Sequence, residues 1–271
     1  MISARQGLTL VIGIVLVGAT FSAIQRRNAR VIAAIAATEG AQRAMLDSLA
    51  AAAQTRAEHL DAAIAADPNA RLEYSTLPAP DVDTARILAT LSARGAGTYF
   101  DEILAGRDGM NARWPDRLGE PMRVWVQGSA APSFDPGFVQ IVRDGFSAWG
   151  ELGLPFQFTF VLDSSRAEIV VTWVDRFDAL MTGRTLWTHD QHGWIVGGTI
   201  ELALHQPDGR PLGPDAVAAI ARHEVGHLIG LDHTRDLTSI MAAQVHVAEL
   251  SEADRRTARL VYDLPPGKLP R

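Results

Sequence analysis

Cysteine is absent from all 271 residues, which excludes disulfides and thiolate metal sites, so any metal bound here must use histidine, aspartate or glutamate. Positive charge is not in excess either: Lys and Arg total 25 against 31 Asp and Glu, a formal net charge of −6. That balance offers no general basic surface, so nucleic acid is not an expected partner. With 47% hydrophobic and 21% charged residues, the composition is that of a globular chain large enough for one well-buried domain plus extensions.

What is present is concentrated in eleven residues, HEVGHLIGLDH, positions 223–233. On a helix, His223 and His227 lie four apart and share one face, where they can take two corners of a tetrahedron. Glu224 is one residue round, near the metal's open side without being a ligand. Gly230 follows about a turn later, and glycine suits a helix that must stop and double back. That turn can bring His233 round as a third ligand and leave a fourth position for water, as in a catalytic zinc site. The short core H-E-x-x-H arises by chance on surface helices; five fixed residues at the extended spacing H-E-x-x-H-x-x-G-x-x-H are far more selective.

At this stretch the chain resembles the metzincin metalloproteases and, within them, the matrixins. Met241 in TSIMAA stands eight residues past His233, similar to the family's methionine turn beneath the zinc. On its own, Met241 reads as ordinary core filling. The resemblance covers about residues 114–264, and it implies an α+β, zincin-type fold: a twisted mixed sheet, an active-site helix and a closing helix. It also implies zinc-dependent peptide hydrolysis, with His223, His227 and His233 holding one zinc and Glu224 acting as general base and then general acid. In the family, the strand before the active-site helix is an edge strand that pairs with substrate main chain, which here points to Gly198, Thr199 and Ile200.

Two departures matter. Secreted matrixins are commonly kept latent by a propeptide cysteine, a device this chain lacks. After Met241 stand Ala242, Ala243 and Gln244 in place of the family's aromatic and proline, so the pocket for the residue after the scissile bond cannot be carried over. Nor does a tyrosine follow Met241 closely as an extra oxyanion donor.

In chain order, residues 7–24 form an uncharged run that as a helix would be about 27 Å long, just enough to span a bilayer. A signal anchor within residues 1–28 is expected, with a cleaved signal peptide or a buried helix as alternatives. Arg26, Arg27 and Arg30 after the run favour a cytoplasmic carboxyl-terminal side, whereas the resemblance favours an extracytoplasmic one, which is adopted here; cleavage would make the protein secreted. Residues 29–66 are alanine-rich and free of proline, as in a long helix with an interrupted apolar seam. It could pair with a second copy as a stalk or pack as one amphipathic helix. A helix is predicted over residues 83–94, then an irregular stretch rich in Gly, Pro and Asp, so residues 29–113 are assigned to stalk and linker and 114–271 to the catalytic domain.

Within the latter, strands are predicted at 122–127, 156–162, 167–174 and 195–204, and a helix over 136–152. Pro214 and Asp215 mark the start of the active-site helix, with Val217, Ile220, Val225 and Leu228 as its buried stripe. Ser251 is the predicted N-cap of the last helix, with Asp254 three residues on. His189, Asp190, His192 and His205 offer a second, structural metal, as some matrixins hold, against the plainer reading of surface loop histidines. Two functional alternatives differ in class or substrate: a zinc-bearing but inactive scaffold working through its long helix, and hydrolysis of a non-peptide amide.

Overall fold

A computed structural model describes residues 77–129, 133–178 and 180–270. The apolar run 7–24, the alanine-rich stretch 29–66 and the oligomeric stalk expected from it lie outside these residues. Among the described residues, no helix is long and apolar enough to cross a membrane.

The elements that frame the site are α1 (Thr84–Arg94), α2 (Phe100–Gly106), β1 (Met110–Asn111), β2 (Met122–Val126), α3 (Phe138–Gly150), β3 (Phe158–Phe160), β4 (Ile169–Val174), β5 (Gly183–His189), β6 (Ile195–Ala203), α4 (Pro214–Leu228), α5 (Glu252–Asp263) and β7 (Gly267–Lys268). Five strands form one sheet in the order β3-β2-β4-β6-β5. The pairings are parallel except β5 with β6. Strict alternation explains the faces: Met122, Val124 and Val126 of β2 and Ile169, Val171 and Trp173 of β4 are buried, their neighbours only partly so.

Helices α3 and α4 pack side by side beneath this sheet. Gly145 lets them approach closely, because a Cβ there would meet the Ala221 methyl at 3.3 Å. The indole of Trp149 donates to the Arg222 carbonyl at 2.8 Å and locks their register. All four stripe residues of α4 are buried as predicted, each stabilising the fold by roughly 1.5–3 kcal/mol relative to exposure. Helix α5 begins with the expected cap, extended to a full box in which Ser251 and Asp254 each accept from the other's backbone.

Two expectations change. The elements from Thr84 onward, assigned above to a linker, pack with the catalytic domain: Ile87, Phe100 and Ile103 lie in the same core as the sheet. Helix α2 is an addition to the predicted elements: at seven residues, with Gly95, Gly97 and Gly109 around it and Gly106 at its end, it is too short to show a helical period in sequence. The second concerns the sheet edge. Gly198, Thr199 and Ile200 of β6 pair with Ile169, Val170 and Val171 on one side and with Trp187, Leu186 and Thr185 on the other. An interior strand has no free main chain for a substrate, so these three residues are not the pairing edge. That position belongs to β5, which has one neighbour.

Candidate metal centre

Helix α4 starts at Gly213 with Pro214 in its first turn, where a missing N–H costs nothing, and Asp215 beside the positive helix end. It ends in a Schellman motif. Gly230, at φ +101°, donates to the His227 carbonyl, and the Leu231 amide reaches back to Gly226, both at 3.0 Å. A side chain at Gly230 would overlap the Ala112 carbonyl oxygen, so conformation and space both demand glycine. The reversed chain carries His233 back over the helix face that bears His223 and His227.

The three rings converge. Their Nε2 atoms are 3.0 Å (His223–His227), 3.2 Å (His227–His233) and 3.3 Å (His223–His233) apart. A tetrahedral zinc with bonds of 2.0–2.1 Å sets its nitrogens about 3.3 Å from one another. The tautomers fit as well. His223 Nδ1 lies 2.7 Å from the Ile240 carbonyl and His227 Nδ1 lies 3.2 Å from that of Leu231, so each neutral ring donates there and turns an unprotonated Nε2 inward. Burial lowers the pKa of His223 and, helped by the neighbouring rings, holds that of His227 well below its ordinary value. Lone pairs facing one another at these distances repel unless a cation lies between them, and the donor set fits zinc.

Glu224 is buried beside this triad, and burial pushes its carboxyl up to about 7 against the opposing pull of a hydrogen bond from Thr185. The Thr185 hydroxyl lies 2.6 Å from Oε2 and 3.0 Å from the Glu224 carbonyl. Gly183, two residues earlier on β5, lies so close that any Cβ would overlap the same carboxylate. Strand β5 therefore roofs the base with a glycine and steadies it with a hydroxyl. Neither residue was singled out in the sequence, because the contact joins positions about forty residues apart and only the sheet order reveals it.

Below the rings, Met241 is fully buried, and its sulfur fills a notch that a Cβ at Gly226 would occupy. Its turn is fixed by Asp254, which accepts from the Ile240 amide at 3.1 Å and from the Ser239 hydroxyl. His223, Glu224, His227 and His233 all open onto one cleft of about 990 Å³. Its lining includes Ala243, Gln244, Val245, Leu212, Ala216 and Ile220.

The other histidines do not join them. Among the described residues, His223, His227 and His233 are the only group of three whose ligand atoms all lie within 4.8 Å of one another. His189 Nδ1 contacts the Asp190 carbonyl, and His205 pairs with Asp175 at 3.0 Å. The Asp190 carboxylate accepts from the His192 and Trp194 amides and so closes the β5–β6 turn.

A comparison with curated proteins returned no match. The profile of the matrixin family, however, matches residues 134–263, from just before α3 to the end of α5. The match contains all three converging histidines, Glu224 and Met241, and identifies residues 134–263 as a matrixin-like metzincin domain.

Proposed function

We propose that the protein is a zinc-dependent endopeptidase acting on protein or peptide substrates. The observation that carries this reading is the triangle of inward-facing Nε2 atoms with a buried, raised-pKa carboxylate in the same open cleft. Zinc bound there would polarise the scissile carbonyl and bring the pKa of a water to about 7.

The chain supplies the remainder. An extended substrate pairs with the free edge of β5 and crosses the cleft above the histidines. Glu224, held by Thr185, accepts the proton of the attacking water and returns it to the leaving amine. The roof formed by Gly183 keeps the carboxylate poorly hydrated, which keeps its basicity near neutral pH. Ala243 and Gln244, which stand where the family has an aromatic and a proline, line the cleft with Val245 and bound the side-chain pocket.

The test is incubation of the protein with an unstructured protein substrate, with and without a chelator. Internal cleavage that stops on chelation and returns with added zinc is expected; cleavage indifferent to the chelator overturns the assignment. We further propose that residues 7–24 anchor the chain with its catalytic domain outside the cytoplasm. The intact protein should then sediment with membranes and a form lacking residues 1–28 should not; equal partitioning would remove the anchor.

A further inference from the structure

Helix α2 and its flanks lie upstream of the matrixin match, which begins at residue 134, yet their side chains reach the backbone on which the metal ligands depend. We propose that this segment, through Arg107 above all, is a positioning element that sets the metal affinity of the site. The proposal rests on the zinc-binding reading above.

The need for such an element follows from where His233 stands. His223 and His227 are placed by regular helix, whereas His233 sits on an exposed segment beyond Gly230 with no continuing helical ladder. Arg107 ties that segment down residue by residue. Its Nη1 donates to the Gly230 carbonyl at 2.8 Å and its Nη2 to that of Leu231 at 2.9 Å. Its Nε lies 3.3 Å from Asp232 Oδ2, while the other oxygen of Asp232 accepts from the His233 amide at 2.8 Å. One planar fork therefore addresses three consecutive positions and, through Asp232, the ligand next to them. The Leu231 carbonyl it holds is also the acceptor that orients His227.

Two further residues extend the same device. Glu102 accepts from the Arg235 amide at 3.1 Å and the Thr234 hydroxyl at 3.2 Å, just past His233. The Tyr99 hydroxyl lies 3.0 Å from Asp254, the carboxylate that holds the Ile240 amide and so the carbonyl beneath His223. The guanidinium of Arg107 also stacks 4.9 Å from the Trp187 ring on β5, linking the ligand loop to the strand that roofs Glu224.

Charge gives the proposal a sign. A guanidinium beside a dication site opposes metal binding by simple repulsion, so a variant without the charge should bind zinc more tightly if electrostatics were all that Arg107 contributed. If Arg107 acts by positioning, the same variant binds more weakly. Partners of this kind typically change metal affinity 10–100-fold.

The experiment measures the zinc dissociation constant of the full chain by competition with a chelator, beside thermal melts of the metal-free forms. Arg107→Met is expected to weaken zinc 10–100-fold, and Arg107→Lys to weaken it too, because a lysine keeps the charge but cannot fork. Arg94→Gln, which removes a pairing between α1 and Asp263 away from the ligands, should leave zinc affinity unchanged even if the melt shifts. Unchanged or tighter zinc in a folded Arg107→Met overturns the proposal. Should that variant not fold, Glu102→Ala decides on the same scale, weaker zinc supporting the role and unchanged zinc overturning it. A wild-type chain that binds no zinc would instead overturn the proposed function itself, before any variant is compared.

Discussion

The two halves of the ligand set are built in opposite ways. His223 and His227 stand on α4, where a local rule, four residues per return to the same face, sets their spacing whatever surrounds them. His233 stands on a turn whose place is decided by Gly230, by Asp232 and by side chains more than a hundred residues upstream. A metal site can thus be half encoded by periodicity and half by tertiary contact. The two halves should fail differently.

The largest effect is expected on the helix side. Glu224→Ala should retain zinc and lose peptide cleavage by roughly 10²–10⁴-fold, the usual contribution of a general base. Zinc content and turnover of the same preparation check it, and loss of zinc in this variant would break the picture of a self-standing helical half.

Next comes a stability difference with a defined pH window. Burial raises the Glu224 pKa to about 7 from an ordinary 4.5, so the folded state favours the protonated form. That contribution is fully present below about 4.5 and is lost as pH rises through 7. Metal-free Glu224→Gln should therefore match wild type near pH 4 and exceed it by roughly 3 kcal/mol above pH 8, at about 1.36 kcal/mol per pKa unit. The lowered histidines act in the opposite direction, but both proteins contain them and they cancel. Urea denaturation at the two pH values is the measurement, and a gap independent of pH would show that the carboxylate is not desolvated.

The junction between the halves should be less costly, though still clear. Gly230→Ala combines a positive φ with an overlap on Ala112, and roughly 2 kcal/mol or more of destabilisation is expected. Weakened zinc should accompany it, because His233 moves with the turn; full affinity after such a loss of stability would mean that the loop is placed independently of its glycine. The smallest effect is expected at Leu186, which is 56% exposed on β5. Leu186→Ala should stay within about 0.5 kcal/mol of wild type, so any change in KM for peptides would report on the edge rather than on packing.

The same contrast explains what could be read in advance. The convergence of the three histidines, the start of α4, its buried stripe, the Ser251 cap, helix α1 and strands β2, β3, β4 and β6 follow from short-range pattern, and the described residues show them. Strand order is non-local. A strand's sequence says that it is half-buried and not which neighbour it takes, so pattern alone neither separates β6 from the edge nor reveals β5. Thr185, Tyr99, Glu102 and Arg107 carry no local signal either. A threonine on a strand or an arginine after a short helix becomes meaningful only when folding sets it against Glu224 or Gly230. The run 7–24 and the alanine-rich stretch remain readings of composition alone.

Asp254 serves two structures at once: one carboxylate closes the first turn of α5 and carries the floor of the site through Ser239 and Ile240. Heating that frays the carboxyl-terminal helix from its leading end must therefore let go of the methionine shelf in the same event. Thermal inactivation should begin at the last helix and reach the histidines from below, so that amides of residues 251–254 and of 239–241 gain solvent exchange together rather than in sequence.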